Sequence, residues 1–478
     1  MGEGKIPEDS KEKASGNKPE NIETDKERKS QENRSQENSP DPPTGENVHL
    51  LPLLTVNFIG TLGFSIVLPF LVFLVNRLGG NAFIYGLASS MYPVFQLIGA
   101  PILGRWSDIY GRKKILLLSQ LGTLLSWIIF LAALFLPVST LFKVDSGVLG
   151  AFVFTLPLAV LFFARALDGL TGGNVSVANA YLADITEEKD RNRNFGKMSI
   201  SSNLGFIVGP ALAGLLSITA YGEAAPVLGA VVISLIGTAL IVFYIPENKE
   251  CSLEGPADSE DIRKVFGYEI KECRTAREAG KPSFREVLKL PNIPYMLGLY
   301  FLIFLGFNIF YTAFPLHAIA ALDWGIAEMG IYFTVLSALL IIVQGSILPG
   351  LSKRYSDASL IIVGSLMLGT NFLLLIPGDL FLTYLATGFF ALGDGLMWPS
   401  FLSLLSKIAG KNYQGTIQGF ASSFGGLASI TGLILGGLLY ELFAGRSFLL
   451  AGMVIYIVFL LNFRLRQFEK ELKTEKRI

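Results

Sequence analysis

The sequence predicts an all-α membrane protein with twelve transmembrane helices, arranged as two pseudo-symmetric six-helix halves. Three observations predict this fold: an apolar composition, charges confined to a few segments, and an internal repeat. Of the 478 residues, 51% are hydrophobic and 16% are charged, and 39 basic residues balance 39 acidic ones. Because soluble domains carry about 25% charged residues, this composition argues against a secreted disulfide scaffold, a nucleic-acid binder or a soluble enzyme.

The charged residues divide the chain into five predicted segments. Charges number 20 in residues 1–47, 19 in residues 246–294 and 9 in residues 463–478. The first of these segments has no aromatic residue and lacks the apolar stretch of a signal peptide. The predicted segments are a disordered cytosolic tail over 1–47, six-helix bundles over 48–245 and 295–464, a cytosolic linker over 246–294, and a cytosolic tail over 465–478.

Twelve apolar stretches follow one another from Val48 onward, each long enough to cross about 30 Å of hydrocarbon as a helix. We number them spans 1 to 12. Their approximate limits are 49–77, 83–104, 113–137, 150–183, 195–218 and 224–245 in the first half, and 295–321, 326–350, 358–377, 380–407, 415–440 and 446–464 in the second. We therefore expect a multi-pass integral membrane protein surrounded by the lipid bilayer.

Basic residues in the short loops predict how the spans are oriented. Twelve lie at one end of the predicted bundle, whereas only Arg77, Lys143 and Arg446 lie at the other. The positive-inside rule makes the twelve-residue end cytoplasmic, together with both termini and the linker, and we expect the plasma membrane. The two cysteines, Cys251 and Cys273, then face a reducing compartment, so that no disulfide framework or metal site is predicted.

The two halves also resemble each other in sequence. Residues 196–216 align without a gap with residues 419–439, and Gly209 and Gly214 then match Gly432 and Gly437. Shorter matches elsewhere keep the same order along the chain. Transporters built from two such repeats hold their substrate between the halves, near the membrane midplane, and we predict a cavity there.

The loop between spans 2 and 3 reads GRWSDIYGRKK, from Gly104 to Lys114. It resembles the G-x-x-x-D-x-x-G-R-K/R signature of the major facilitator superfamily at every fixed position. The resemblance implies a cytoplasmic latch that stabilises the outward-open form, in which Arg112 pairs with an acid at the end of span 4. Loop charges that serve only topology are the alternative, although topology requires neither the glycines nor the acid. The predicted latch residues are Gly104, Asp108, Gly111, Arg112, Asp184 and Arg191.

Span 4 carries two charges, Arg165 and Asp168, in the run RALDGLTGG. This run resembles the R-x-x-x-G-x-x-G signature of proton antiporters, and ADIT at 183–186 resembles the tetracycline-resistance-like drug:proton antiporter branch of the superfamily. Insertion scales put the cost of a charge at a helix centre near 2.5–3.5 kcal/mol, which favours a functional role. Asp168 is the predicted proton carrier beside Arg165. A permanent pair that only neutralises itself is the alternative.

Span 5 contains a third signature. It resembles the antiporter pattern G-x-x-x-G-P-x-x-x-G, in which small residues let helices approach closely and proline bends the chain. The second-half copy has Leu433 at the proline position, which favours a role specific to the first half. Plain helix packing is the alternative interpretation. The residues concerned are Gly205, Gly209, Pro210 and Gly214.

Further candidates for the cavity are polar residues within the spans. Asp394 stands between two glycines in span 10, and an acid at that depth should face water or a partner unless it lies near a helix end. Tetracycline-type pumps have an acid in helix 1 where this chain has Gly60, and the nearest polar residue, Asn57, cannot titrate. Asp168 and Asp394 must then supply any proton site. The remaining candidates, each also explicable as an interhelical hydrogen bond, are Gln96, Asn308 and Tyr311.

These patterns predict a secondary active transporter rather than an enzyme. It would move a small amphipathic compound by alternating access, with proton-coupled export as the first hypothesis and a monomer as the expected state. A facilitator or proton symporter for a sugar, lipid or metabolite is the first alternative, favoured by the missing acid in span 1. A non-transporting receptor or scaffold is the second. No cofactor or nucleic-acid partner is predicted, and no phosphate-binding G-x-x-x-x-G-K-[ST] motif is present.

Overall fold

The computed structural model describes residues 50–67, 69–186, 191–246, 262–265, 268–271 and 289–475. The predicted tail over 1–47 and most of the predicted linker lie outside these residues. Ten helices in the described part are long and apolar enough to cross a membrane, and a shorter apolar helix precedes them. The fold is therefore an α-helical membrane bundle, as the composition predicts.

The first half consists of eight helical segments. Span 1 is interrupted between Ser65 and Leu71, next to Pro69, and span 4 at Gly172 and Gly173, so each forms two shorter helices. The segments are α1 (Leu50–Ser65), α2 (Leu71–Arg77), α3 (Ala82–Tyr110), α4 (Arg112–Ala133), α5 (Leu156–Thr171), α6 (Asn174–Ile185), α7 (Arg191–Ser217) and α8 (Ala224–Tyr244).

A β-hairpin corrects the predicted start of span 4. Residues 150–155, predicted to be helical, form strand β2 (Gly150–Thr155), which pairs antiparallel with β1 (Thr140–Ser146). Phe142 stacks on Phe154 across the pair, with ring centroids 4.9 Å apart. The prediction was wrong because a short apolar run has the same hydropathy as a strand or a helix, and cross-strand aromatic packing decides between them.

The second half also consists of successive helices. Its helices are α9 (Ile293–Leu322), α10 (Ile326–Ile342), α11 (Leu348–Leu351), α12 (Asp357–Leu375), α13 (Leu380–Phe443), α14 (Ser447–Asn462) and α15 (Leu465–Glu475), with a π-helical turn over Val343–Ile347 and a 3₁₀ turn over Ala444–Arg446. A short strand pair, β3 (Ile262–Val265) and β4 (Tyr268–Lys271), lies in the linker.

Helix α13 contains both span 10 and span 11. A straight helix of its 64 residues would be about 96 Å long. However, a Cβ placed on Gly378 would lie 3.3 Å from Nε2 of His317, and one placed on Gly445 would lie 2.7 Å from Cε1 of the same ring. Because both ends of α13 reach one imidazole, the chain must reverse between them, which agrees with two antiparallel spans.

Two glycine crossings bring the two halves into contact at one end of the bundle. At Gly86 of α3 a Cβ would lie 2.5 Å from the carbonyl oxygen of Leu433 in α13, and at Gly330 of α10 it would lie 2.7 Å from Cα of Gly214 in α7. We call this end, which carries the β1–β2 hairpin, the hairpin end. The opposite end carries Arg112 and is called the latch end.

Candidate functional site

A cavity of about 740 Å³ lies between the two halves. Helices α1, α3, α5 and α7 line it from the first half, and α9, α10, α13 and the π-helical turn line it from the second. Its wall is mostly aromatic and aliphatic, with a few polar groups, as is typical of small-molecule sites. The polar and aromatic residues that line it include Phe64, Tyr85, Ser89, Tyr92, Gln96, Arg165, Phe206, Phe304, Phe307, Asn308, Tyr311, Phe333, Gln344, Asp394, Trp398 and Ser429.

Arg165 and Asp168 form a buried ion pair at the side of this cavity. Nη1 of Arg165 lies 3.2 Å from Oδ2 of Asp168, and the two side chains are 5% and 8% exposed. Arg165 also faces the ring of Tyr92, with 5.1 Å between its Cζ atom and the ring centroid, and it lines the cavity. Asp168 lies behind it, with the hydroxyl of Thr123 as a further hydrogen-bond partner. Substrate would therefore meet the guanidinium before the carboxylate.

The interruption of span 4, at Gly172 and Gly173, follows Asp168 by about one helical turn. The carbonyl groups that the break releases find partners on neighbouring helices: Nε2 of Gln96 donates to Gly172 at 3.1 Å, and the Ser119 hydroxyl donates to Thr171. Gln96 also donates to the Tyr92 hydroxyl at 3.0 Å. Discontinuous helices of this kind are common beside transporter sites, because a broken helix leaves polar backbone groups at membrane depth.

The second half contributes an acid to the opposite wall. Asp394 is half-buried, lines the cavity, and forms no ion pair within the described part of the chain. The ring of Tyr311, which interacts electrostatically with it, stacks against Phe333 at 6.4 Å. Asn308 donates to the Phe304 carbonyl at 2.7 Å and to the Ser429 hydroxyl at 3.1 Å. The structure thus brings Arg165, Gln96, Asn308, Tyr311 and Asp394 to one cavity.

Asn57 does not line this cavity. Its amide nitrogen donates to the Met198 carbonyl at 3.1 Å and to the Ser202 hydroxyl at 2.7 Å, so it joins α1 to α7 instead. Gly60 faces the first half's own interior, where an added Cβ would lie only 2.8 Å from the amide nitrogen of Asn174. The space beside Gly60 is thus filled by the Asn174 side chain.

The predicted latch residues meet at the latch end of the first half. Arg112 bridges two acids, with Nη1 2.6 Å from Asp108 and Nε 2.7 Å from Asp184, and it also donates to the Ser107 hydroxyl at 2.7 Å. Gly111 alone separates α3 from α4 and has a φ of +101°, which favours glycine. The Asp108 carboxylate is 61% exposed.

Of the two remaining predicted latch residues, Gly104 joins the Arg112 cluster through its carbonyl, which accepts from the Ser107 hydroxyl at 2.7 Å. An added Cβ at Gly104 would meet nothing within 4 Å. Arg191 is the first residue of α7, and its side chain lies outside the described part of the structure. In the second half, Asp357 accepts from the Ser403 hydroxyl at 3.0 Å and pairs with Lys407, so that half has its own charged contact between α12 and α13.

The glycines of the span 5 signature pack α7 against two partners. A Cβ at Gly205 would lie 2.9 Å from the Leu62 nitrogen in α1, and Gly209 lies against Ser65 of the same helix. Gly214 crosses to the second half, with Gly330 Cα 3.2 Å from its added Cβ. Pro210 lies within α7 and lines the cavity. The signature therefore positions α7 between its own half and α10.

Several cavity residues were missed by sequence reasoning. Tyr85, Ser89 and Tyr92 lead to the predicted cavity residue Gln96 at spacings of four, three and four residues, which places all four on one face of α3. This polar stripe on an apolar span was a readable signal. The aromatic pair of Phe304 and Trp398, with ring centroids 5.1 Å apart, gave no such signal, because it joins α9 to α13.

A helical bundle of two repeats around a central cavity with a buried ion pair defines a secondary transporter. The chain belongs to the major facilitator superfamily, whose family model matches residues 53–433. It is accordingly a transporter and not an enzyme, and it is a multi-pass integral membrane protein.

Its relatives include drug-resistance proteins. It is 26% identical over 410 residues to multidrug resistance protein 2 of Bacillus subtilis (85% of this chain, 92% of that protein). It is also 26% identical over 400 residues to the class H tetracycline resistance protein of Pasteurella multocida (83% and 90%).

Solved structures share the fold at lower identity. The human organic anion transporter MFSD10 (TETRAN) superposes with a TM-score of 0.59 at 19% identity, covering 88% of this chain and 100% of that one. A D-xylose–proton symporter superposes with a TM-score of 0.65 at 13% identity, covering 87% and 97%.

Proposed function

We propose that this protein exports a small amphipathic compound in exchange for protons, by alternating access of the cavity between its halves. One observation carries the proposal: a cavity with an aromatic wall is bordered by a buried Arg165–Asp168 pair on one side and, on the other, by Asp394, which has no ion-pair partner among the described residues. Similarity to multidrug and tetracycline resistance proteins supports export and proton coupling.

Asp168 is the proposed proton carrier. When the carboxylate takes up a proton it loses its attraction for the Arg165 guanidinium, which is then a free positive charge beside Tyr92. Asp394 offers a second carboxylate that substrate or proton could reach from the cavity. The amide oxygens of Gln96 and Asn308 supply acceptors, and Tyr311 supplies an aromatic surface, that orient the substrate, because the amide N–H groups already donate within the protein.

The latch fits a cycle between two forms. Because the halves meet closely at the hairpin end, we infer a form open toward the latch end, which we expect to face the cytoplasm. The exposed Asp108 carboxylate, held by Arg112, is then available to bind the second half when the latch end closes. We further propose that the protein works as a monomer in the plasma membrane, with both termini in the cytoplasm.

Reconstituted vesicles test the function. Purified protein in proteoliposomes should accumulate a fluorescent amphipathic dye against its gradient when a pH gradient is imposed. A protonophore that collapses the pH gradient should abolish this accumulation, because export is driven by proton entry. Dye movement that ignores the pH gradient would contradict proton coupling.

A proton symporter is the second candidate. The absence of an acid at Gly60 favours it, because the chain departs there from the tetracycline-type pattern. In de-energised cells, substrate added outside enters a symporter together with protons and makes the medium more alkaline, whereas substrate that enters through an exchanger drives protons out and makes the medium more acidic. Measuring external pH on substrate addition distinguishes the two.

A further inference from the structure

A carboxylate from the second half touches the first half at the hairpin end. Glu441 lies near the end of α13, and its Oε2 accepts a hydrogen bond of 3.1 Å from the backbone nitrogen of Ala82. Ala82 is the first residue of α3, where backbone N–H groups have no partner within the helix. A carboxylate at this position is also attracted by the positive end of the helix dipole.

The surroundings of this contact are fitted to the carboxylate. Asn81 caps α3 through Oδ1, which accepts from Ile84 at 3.1 Å, and its amide nitrogen donates to the Leu149 carbonyl of the hairpin loop at 2.7 Å. The next residue, Gly150, has a φ of +73°, and an added Cβ would overlap the Glu441 carboxylate. Glycine here leaves the space that Glu441 occupies.

The contact adjoins one of the two close crossings between the halves. Gly437, one turn before Glu441, packs against Gly86, and the repeat relates this crossing to that of Gly214 and Gly330. At the second crossing the position equivalent to Glu441 is Ile218. There the backbone N–H before α10 has a partner in the same helix, because Gly325 donates to the Glu328 carboxylate at 2.9 Å. The repeats therefore share the crossing but not the acid that bridges it.

We propose that Glu441 is a positioning residue of the transport cycle, which locks the hairpin end while its carboxylate holds the start of α3. The lock must open before the cavity can face the hairpin end, because the α3 amide and the Glu441 carboxylate lie on opposite halves. This inference rests on the proposed alternating access. It concerns the balance between the two forms and is independent of which compound is carried.

Spin-label distances across the hairpin end test the lock. Cysteines replace Asp145 and Arg446, both exposed and on opposite halves, in a background with Cys251→Ser and Cys273→Ser. We expect Glu441→Ala to raise the ratio of long to short distances about threefold to tenfold, because a charged hydrogen bond across the interface is lost. Glu441→Gln keeps the shape and an acceptor oxygen, so a smaller shift in the same direction is expected.

Glu328→Gln is the matched control, since it weakens a helix start without linking the halves, and it should leave the distances unchanged. Distance distributions of both Glu441 variants equal to the unsubstituted protein would overturn the lock, as would an equal shift in Glu328→Gln. The measurement needs neither substrate nor a pH gradient. Failure of the proposed export would therefore leave its result interpretable.

Discussion

Arg165 and Asp168 form the one ion pair in the described part of the chain whose two side chains are both less than a tenth exposed. Removing one partner of a buried pair leaves an uncompensated charge and typically costs about 3–5 kcal/mol. We expect Arg165→Met to lower the free energy of unfolding by about this amount, and the double variant with Asp168→Asn to recover at least half of the loss. Chemical unfolding in detergent measures both. Equal losses in the single and double variants would contradict the pairing.

The side chain of Asn174 fills the space beside Gly60 on α1. Gly60→Ala should lower the free energy of unfolding by about 1–3 kcal/mol, because the added Cβ overpacks against the Asn174 amide. In an Asn174→Ala background the same substitution should cost almost nothing. A double-mutant cycle measures the coupling, and additive effects would show that the two positions do not compete for space.

Arg112 holds three partners at the latch end, which a lysine cannot do with the same geometry. Arg112→Lys should lower the free energy of unfolding by about 1–2 kcal/mol and slow dye transport. Lys113→Ala is the control, since Lys113 carries the same charge in the next position and makes one exposed contact, with the Val242 carbonyl. Its effect should stay within about 0.5 kcal/mol. Equal effects of the two substitutions would show that Arg112 acts only as one more positive loop charge and that it forms no specific latch.

The glycine crossings should control access from the hairpin end. Gly86→Val and Gly330→Val place side-chain atoms where the partner backbone lies, and should push the halves apart at that end. A cysteine in place of Ser89 on the cavity wall, in the background without native cysteines, should then react faster with an aqueous maleimide added from the hairpin side. Gly298→Ala, where an added Cβ meets nothing within 4 Å, is the control. Unchanged reactivity in both crossing variants would contradict closure at these glycines.

Sequence reasoning predicted the fold because each membrane span is recognisable from the hydropathy of its own residues. It placed Arg165 and Asp168 three residues apart on one helix, and their pairing follows from that spacing. It failed where an outcome depends on tertiary neighbours. The strand over 150–155 needed its partner strand. Asp394 was predicted for the cavity from its depth in span 10, but its place across from Arg165 depends on the packing of two halves far apart in the chain.

The placement of Asn57 shows the same limit. A polar residue on an apolar span indicates a buried hydrogen-bond partner but does not identify it. In the structure the partners of Asn57 are Met198 and Ser202 of α7. Tyr92, by contrast, stood in a polar stripe on α3 whose helical spacing could have been read from the sequence. Its contact with Arg165 could not, because it joins two different helices.

The most direct test of the central claim is dye transport by Asp168→Asn in proteoliposomes under an imposed pH gradient. Asparagine keeps the shape of the side chain and cannot carry a proton. We predict that gradient-driven accumulation falls to that of protein-free vesicles, while dye equilibration without a pH gradient stays faster than in protein-free vesicles and shows that the variant is folded. Gradient-driven accumulation equal to that of the unsubstituted protein would contradict the role of Asp168 as proton carrier.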